Sequence, residues 1–538
     1  NEKQKLLVRI IEFLVGSVRN AYIRVLKAAI RLPIISLVVL VFVTGGTGYL
    51  LTQVSQEFAP REDRGSFFVI VNGPEGASYT YMKEYMDEIE RRLMPLVETG
   101  EVNRLLLRAP LGFNNIENFN GGIVIINLHD WSVRRSGWEI MADVRSRLSD
   151  LPGVRAFPIM RQALGGSTRK PVQLVLGGST YEELAEWRDI LFEKIEENNP
   201  GFIGIDSDYK ETRPQIDFEV DYDRAADLGV TISDIGRTLE TMMGGREVTT
   251  FLSRGEEYDV IVQGERDSQR SFSDIQNIYI ESGRTGELIP ISNLVSINEY
   301  AAPQTLTRFN RIRAITIDAN LEEGFALGEA ITHLENLVTE HLPAEAIIDY
   351  KGQSRDLTES TQSIIFVFVL GILVVFLVLA AQFESWIHPL VIMMTVPLTI
   401  GGGLLGLYLM GGSLNIYSQI GLIMLVGLAA KNGILIVEFV NQLRDEGIAF
   451  KDAIIEASET RFRPIIMTGL TTIAGAVPLV LSSGAGHETR EVIGTVILAG
   501  VFAGTVFTLF IVPVAYSLIA RGTGSPNAVS RRLAEELG

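Results

Sequence analysis

The sequence of 538 residues contains no cysteine and only five histidines. The lack of cysteine excludes disulfide bonds, thiolate metal sites and a cysteine nucleophile. The histidines show no metal-ligand pairing, no serine, histidine and aspartate are spaced as a hydrolase triad, and there is no nucleotide-binding P-loop. We therefore expect no enzyme activity and no bound cofactor or metal.

The chain also lacks an excess of positive charge. It carries 47 Lys and Arg residues against 65 Asp and Glu residues, a formal net charge of −18. A protein that binds nucleic acid needs a basic face to neutralise phosphates. The charge balance therefore argues against nucleic acid as a partner.

The most prominent feature of the sequence is a set of long stretches without charge. Five segments of about 20 or more residues carry none, and a sixth is interrupted by Lys431 alone. About 20 helical residues cross a bilayer core about 30 Å thick, so each segment can span a membrane. A buried core helix is an explanation for one such run, not for six. The predicted transmembrane helices are 32–56, 360–383, 387–410, 414–440, 463–483 and 491–520.

Charge predicts the topology. Residues 1–31 carry seven Lys and Arg residues between apolar positions at helical spacing. This pattern predicts an amphipathic helix on an anionic membrane surface, with a helix packed on a soluble domain as the alternative. Basic segments favour the cytoplasm, so we expect 1–31, the loop 441–463 and the tail 521–538 inside the cell and 57–359 outside.

The large outer region repeats one pattern. Residues 57–165 contain predicted strands and helices in the order β-α-β-β-α-β, which is a ferredoxin-like unit. A second such unit is predicted over 166–221 and 311–352, with strands near 202–208 and 214–220. Residues 222–310 have strands of their own. The predicted fold is therefore a six-helix membrane bundle plus an α+β region of two ferredoxin-like units, the second holding an inserted domain.

The loop "LGFNNIENFNGG" (111–122) joins the two central strands of the first unit. Apolar side chains on a glycine-flanked loop can line an adaptable binding cleft. They can equally pack beneath the loop, and the sequence leaves both alternatives open. The candidate substrate contacts on and beside this loop are Phe113, Asn115, Ile116, Phe119 and Ile125.

The stretch "GLAAKNGILIVEF" (427–439) places Lys431 inside a predicted span. An ammonium in hydrocarbon costs several kcal/mol, so we expect Lys431 to face the bundle interior and to pair with a carboxylate. Snorkelling of its side chain to the interface is the alternative. Asn432 can hydrogen-bond a second helix. No other charge lies deep in the predicted spans, so the acid must come from another chain or from another part of this protein.

Several longer motifs carry a family resemblance. They are "FAPREDRG" (58–65), "GQSRDLTES" (352–360), "AQFESWIHPLVIMMTVPL" (381–398), "GLAAKNGILIVEF" (427–439) and "RPIIMTGLTTIAGAVPL" (463–479). With them the whole chain resembles the C-terminal half of a hydrophobe/amphiphile efflux pump of the resistance-nodulation-division superfamily.

The resemblance implies a proton relay. Such pumps are about twice this length, and the other repeat carries an aspartate pair in its fourth span. Lys431 matches the lysine that pairs with those aspartates, and Arg461 and Thr468 match accessory relay residues, with Asn432 beside them. Arg461 also suits ordinary anchoring at the cytoplasmic boundary, and Thr468 suits a bond to its own helix. Because the chain begins with Asn and has one repeat, we expect either a fragment or a separately encoded half.

The resemblance also implies partners and a location. The two outer units match porter subdomains, 222–310 matches a docking domain, and 111–122 matches a switch loop beside the drug pockets. The family works as a homotrimer in the bacterial inner membrane, with its large region in the periplasm. It joins a periplasmic adaptor protein and an outer-membrane channel and exports small amphiphilic compounds from the periplasm and the membrane lipid, driven by a proton gradient.

Two groups of alternatives stay open. Within the superfamily the chain could be a lipid or metal exporter, although metal exporters use a set of methionines in the cleft and only Met160 lies near it. Outside transport it could be a protein-translocation accessory or a sterol-sensing-type membrane protein. The predicted insertion at 222–310 argues against this second group.

Overall fold

The computed structural model describes residues 2–111, 119–161, 170–265, 272–322 and 324–523, with backbone alone for 2–15, 272 and 361–363. Its contacts divide the chain into two compact units. One comprises Asn1–Asp208 with Thr307–Gly538, and the other comprises Tyr209–Leu306. The first unit holds a helical membrane part and a β-rich part, as the sequence predicts.

Six helical segments of the described chain are long and apolar enough to cross a membrane. A basic helix, α1 (Glu2–Arg31), precedes the first of them, and its Tyr22 and Leu26 are buried against the later helices. The spans are α2 (Pro33–Gln53), α10 (Gly352–Phe383), α11 (Ile387–Met393) continued by α12 (Val396–Leu409), α13 (Ile416–Asp445), α14 (Phe450–Val480) and α15 (His487–Ile519).

Local chemistry sets two of these boundaries. The third span breaks between α11 and α12, and Pro397 is the second residue of α12. The break lies here because proline has no N–H to donate and restricts the conformation of the residue before it. Helix α13 is capped at its start by Asn415, whose side chain accepts hydrogen bonds from the N–H groups of Tyr417 and Ser418. That cap satisfies donors that the first turn of a helix leaves free.

Small residues let two central helices pack closely. A Cβ added at Gly402 or Gly406 of α12 would collide with Ala503 or Ala499 of α15. Close backbone approach of this kind is typical of membrane helix pairs. The "GGGLLG" motif therefore places α15 in the centre of the helical part, where 17 of its residues are buried.

The β-rich part begins with a four-stranded antiparallel sheet in the order β2-β3-β1-β4. Helices α3 and α4 cover one face, because Phe67, Val69 and Val71 alternate into a core with their apolar side chains. The elements are β1 (Ser66–Asn72), α3 (Tyr79–Glu98), β2 (Val102–Arg108), β3 (Gly121–Leu128), α4 (Gly137–Leu148) and β4 (Arg155–Met160).

A second sheet repeats this order with a long insertion. Strand β14 lies between β5 and β6, and β15 pairs with the other edge of β5, while the short β13 forms a hairpin with β14. The elements are β5 (Val172–Gly178), α5 (Tyr181–Glu197), β6 (Phe202–Ser207), β13 (Arg308–Phe309), β14 (Ile312–Leu321), α9 (Leu327–His341) and β15 (Ile347–Tyr350). The insertion therefore lies between β6 and β14. In the first unit the corresponding connection, between β2 and β3, is made by residues 109–120 alone.

The inserted unit starts earlier than the sequence predicts. We expected the strand near 214–220 in the second sheet, but β7 pairs along its whole length with β12 inside the unit 209–306. Alternation of side chains predicts a strand but does not choose its partner. The unit contains β7 (Arg213–Val220), α6 (Tyr222–Asp227), α7 (Ile232–Leu239), β8 (Arg246–Ser253), β9 (Glu256–Val262), α8 (Phe272–Gln276), β10 (Tyr279–Glu281), β11 (Leu288–Pro290) and β12 (Val295–Ala302).

Candidate functional site

Lys431 lies on an exposed stripe of α13. The other members recur at helical spacing along one side of the helix, and the neighbouring helices bury the opposite side. No hydrogen bond or ion pair reaches the Lys431 ammonium from the residues that the structure describes. The exposed residues of the stripe are Ile420, Met424, Gly427, Lys431 and Glu438.

We expected Lys431 to face the interior of the bundle and to pair with an acid from outside these spans. Within the six described spans it lies on the outer surface of the helical part, so the expected pairing stays a prediction. Asn432, about 100° further round the helix, takes the interior position and is 7% exposed. The physical reason is that α14 and α15 pack against the other side of α13, while no helix of the described residues covers the Lys431 side.

The two accessory candidates lie on α14. The Arg461 guanidinium stacks on the ring of Phe439 of α13, with 4.5 Å between its Cζ atom and the ring centroid. Its Nε atom is buried without a hydrogen-bond partner among the described residues. The Thr468 hydroxyl donates to the carbonyl of Ile465 in its own helix over 3.2 Å. Arg461 is thus fixed against α13, and Thr468 is only partly buried.

The predicted substrate contacts divide into two groups. Phe113, Asn115 and Ile116 lie outside the described residues. Phe119 is in the turn before β3 and is 44% exposed. Ile125 is half-buried in β3, where it lies between Phe68 of β1 and Leu106 of β2.

Ile125 belongs to an apolar sheet face that the motif analysis missed. Residues two apart on a strand point to the same side, so Phe68, Leu106 and Ile125 share the face opposite α3 and α4. Leu106 is 58% exposed there. The alternating pattern of "SFFVIVN" and "VNRLLLR" was the signal that could have found this face. The first sheet therefore presents apolar side chains on the face opposite its two helices.

A buried ion pair lies where the first span joins the first sheet. Asp63 follows α2 by ten residues, and Arg134 precedes α4. The two guanidinium nitrogens of Arg134 donate to the two carboxylate oxygens of Asp63 over 2.8 and 2.9 Å. The Asp63 side chain is 6% exposed and the Arg134 side chain is 0% exposed. The N–H groups of Gly65 and Gly137 donate to the same carboxylate over 3.0 and 2.6 Å.

Neighbouring acids in this linker have opposite pKa shifts. Burial would raise the pKa of Asp63, but the Arg134 hydrogen bonds and the two backbone N–H groups outweigh it and lower the pKa. Burial also dominates at Glu62 and raises its pKa, with Arg64 opposing and Glu488 adding to the effect. The Asp63 N–H donates to Glu488 of α15 over 3.0 Å, so the linker is tied to the last span as well.

No metal centre accompanies these groups in the described part of the chain. Those residues contain no set of three or more His, Asp or Glu side chains that could hold an ion. The fold and the site together define a multi-pass membrane protein with a charged residue within one of its spans.

Comparison with known proteins gives the family. The model of the AcrB/AcrD/AcrF family matches residues 1–520. The chain belongs to this family of resistance-nodulation-division transporters, in the efflux-pump branch that the sequence motifs indicate.

Individual relatives support the assignment. An uncharacterized transporter of Haemophilus influenzae is 33% identical over 533 residues, covering 97% of this chain and 50% of that protein. The multidrug/solvent efflux pump membrane transporter MepB of Pseudomonas putida is 32% identical, over 94% of this chain and 48% of MepB. The multidrug resistance protein MdtF of Escherichia coli is 31% identical, over 90% and 47%. The chain spans about half the length of these curated relatives.

Proposed function

We propose that the chain is the C-terminal repeat of a proton-driven pump that exports amphiphilic compounds. One observation carries this proposal: Lys431 lies within a span, on a helix face that the described chain leaves uncovered, in a protein that spans half the length of its relatives. A second set of spans would cover this face and bring the acid that the ammonium needs.

The pairing would couple protons to movement. An ammonium and a carboxylate attract each other strongly in the low dielectric of a membrane interior. Protonation of the carboxylate removes that attraction and lets the helices that carry the two groups move apart. Arg461 is placed to hold α14 against α13 through Phe439 during this step, with Asn432 and Thr468 as further relay residues.

The β-rich part would handle the exported compound. We assign the two sheet units to porter subdomains and the unit 209–306 to a docking domain for other components. The apolar face of the first sheet, with Ile125 and the neighbouring Phe119, suits amphiphilic compounds of the kind that the names multidrug and solvent pump describe for the relatives.

The proposed assembly follows the family. An N-terminal repeat with an aspartate pair, in the same or a separate chain, completes each protomer, and three protomers form the pump in the bacterial inner membrane. A periplasmic adaptor and an outer-membrane channel complete the export path. The proton gradient supplies the energy, with no bound cofactor.

A substitution at Lys431 tests the proposal. In the complete pump, Lys431→Met should abolish dye efflux under a proton gradient while the protein is still inserted, because methionine keeps the length of the side chain without its charge. Lys451→Met, at an exposed position in the first turn of α14, is the matched control and should leave efflux unchanged. Efflux by Lys431→Met at the wild-type rate would remove the relay role.

The topology can be tested separately because the chain has no cysteine. We expect a membrane-impermeant maleimide to label Ser149→Cys in intact cells and Glu446→Cys only after lysis. Both positions are exposed, Ser149 after α4 and Glu446 after α13. Labelling of Glu446→Cys in intact cells would reverse the proposed orientation.

A further inference from the structure

Tyr516 is fully buried near the end of α15 and attaches this helix to α13. Its hydroxyl accepts a hydrogen bond from the Arg444 guanidinium over 2.7 Å and donates one to the side-chain oxygen of Asn441 over 2.6 Å. Asn441 and Arg444 are neighbours at helical spacing on α13. One hydroxyl therefore holds two side chains of the same helix.

Arg444 is fastened to two further segments. It also donates to the backbone carbonyl of Thr523, which follows α15, over 2.5 Å. Its Cζ atom lies 5.1 Å from the ring centroid of Phe450, the first residue of α14. Hydrogen bonds from a charged donor are stronger than neutral ones, most of all where water is excluded. The end of α13 is therefore bound to α14, to α15 and to the chain that follows α15.

Aromatic rings pack on Tyr516 and fix its orientation. The imidazole of His388 in α11 stacks on it with 5.6 Å between ring centroids, and the Phe450 ring stacks on it with 5.9 Å. His388 is fully buried, and its Nε2 atom lies 3.3 Å from the Thr523 hydroxyl. These contacts keep the tyrosine hydroxyl directed at α13. We name the set the Tyr516 cluster: His388, Asn441, Arg444, Phe450, Tyr516 and Thr523.

Asn441 depends on Tyr516 for its position. Asn441 is 4% exposed, and its side-chain nitrogen has no hydrogen-bond partner among the described residues. The bond from Tyr516 to its side-chain oxygen is the contact that satisfies this buried amide. A buried polar group that loses its partner is unfavourable, so α13 is held where Asn441 can reach Tyr516.

The attachments lie on sides of α13 that face away from Lys431. At about 100° per residue, the side chains of Asn441 and Arg444 leave the helix about 80° and 140° round from that of Lys431. Along the helix axis, Asn441 is about 15 Å from Lys431. A helix whose one side is pinned in this way cannot turn about its axis without breaking both hydrogen bonds to Tyr516.

We propose that Tyr516 sets the rotational position of α13 and so keeps the Lys431 ammonium on the face that the described helices leave uncovered. Tyr516 is then a positioning residue for the relay, acting through Asn441 and Arg444 over a distance along the helix. This inference rests on the proposed function in so far as Lys431 must meet an acid on that face.

A pair of tyrosine variants tests the role of the hydroxyl. Tyr516→Phe keeps the ring that stacks on His388 and Phe450, so the complete pump should still fold. Tyr22→Phe is the matched control: the Tyr22 hydroxyl is also buried and donates to the Leu509 carbonyl of α15 over 2.9 Å, but from α1 and not from α13. Both variants should lower the thermal unfolding midpoint, and only Tyr516→Phe should alter the placement of the Lys431 face.

A spin label on Gly427→Cys reports that placement in a complete pump without other cysteines. Gly427 is one turn before Lys431 on the exposed stripe and about 21 Å along α13 from Asn441. We expect the electron paramagnetic resonance line shape to change in Tyr516→Phe and to stay as in the wild type in Tyr22→Phe. Asn441→Leu removes the other end of the same hydrogen bond and should reproduce the change.

An unchanged line shape in both Tyr516→Phe and Asn441→Leu would overturn the proposal. The cluster would then be a local brace at the end of α13, which lowers stability when it is cut and leaves the distant Lys431 face as it was. An equal change in Tyr22→Phe would also overturn it, because any lost tyrosine hydroxyl on α15 would then have the same effect.

Efflux kinetics distinguish this proposal from the function on which it rests. We expect Tyr516→Phe to lower the maximal rate of dye efflux at least about fivefold, the factor for one lost hydrogen bond, with the KM for the dye unchanged. Tyr22→Phe should keep both values. A wild-type maximal rate in Tyr516→Phe would overturn the positioning role and leave that of Lys431 intact. Wild-type efflux by Lys431→Met would remove the relay, and the spin label would still decide whether Tyr516 positions α13.

Discussion

Lys431 and Asp63 are both charged groups in sparsely hydrated surroundings, and they differ in what the chain provides for them. Asp63 receives four hydrogen bonds, two from Arg134 and two from backbone N–H groups. Lys431 receives none from the described residues and lies on an exposed helix face.

The difference separates a structural charge from one that is placed for a partner. A buried ion pair whose oxygens are all satisfied has little reason to change its state. An ammonium within a span is costly unless another surface supplies an acid or its side chain reaches the interface. The Asp63 site therefore joins the sheet to the first and last spans, and the Lys431 site identifies the face where a second set of spans would pack.

The largest effect should come from giving Lys431 a partner within its own helix. Gly427 is one turn earlier on the same stripe, and a side chain there meets nothing within 4 Å. Gly427→Asp would form an i, i+4 pair with Lys431 and hold the ammonium in place. We expect dye efflux by the complete pump to fall by at least about tenfold, since about 1.4 kcal/mol of added pairing energy is enough.

The uncharged variant Gly427→Asn is the matched control and should retain most of the efflux. Equal efflux by the aspartate and asparagine variants would show that Lys431 does not depend on an acid from outside its helix. The proposed difference from Asp63, which finds its partners within the chain, would then be wrong.

The second-largest effect concerns the buried ion pair of Asp63 and Arg134. Asp63→Ala leaves Arg134 buried without its counter-charge, which typically costs about 3–5 kcal/mol. We expect a lower thermal unfolding midpoint and faster proteolysis of the linker 57–65. Asp87→Ala removes the exposed partner of Lys83, 2.6 Å away, and should cost no more than about 1 kcal/mol. Equal losses in the two variants would mean that burial does not matter at Asp63.

The smallest effect is a pH dependence with opposite signs at the two linker acids. The pKa of Asp63 is lowered from 3.8, so its contribution to stability is present above 3.8 and is lost as the pH falls through the folded value. The pKa of Glu62 is raised from 4.5, so its contribution is present below 4.5 and is lost as the pH rises through the folded value.

Thermal midpoints measured from acid to neutral pH can isolate Glu62. Glu62→Gln keeps the shape of the protonated acid, so the wild type should lose stability relative to this variant as the pH rises above 4.5. Glu98→Gln, at an exposed position of α3, is the control and should follow the wild type. Parallel curves for the wild type and Glu62→Gln would show that burial does not hold the proton on this acid.

The elements of the fold could largely be predicted because their signals are local. The order β-α-β-β-α-β predicted within 57–165 is the order of β1, α3, β2, β3, α4 and β4 in the structure, and the strand predicted near 202–208 is β6, Phe202–Ser207. The choice of strand partner could not be predicted in the same way. Strand β7 alternates as a sheet strand should, yet it pairs with β12, 75 positions further at Val220 and Val295.

The candidate site shows the same limit. Lys431 was evident because one charge interrupts an apolar run. The side of α13 on which it lies could not be predicted, since that depends on which side of α13 the other helices cover. Asp63 and Arg134 are 71 residues apart, and nothing local in either segment indicates that they meet.

The spans, the helices and strands, the intramembrane ammonium and the family can be predicted from sequence, because each depends on composition and periodicity over a few turns. The folded chain adds that Lys431 lies on a helix face left uncovered by the described residues, that Arg134 pairs with Asp63, and that the inserted unit begins at Tyr209. These outcomes depend on contacts between distant segments, and such contacts are selected by the packing of the whole chain.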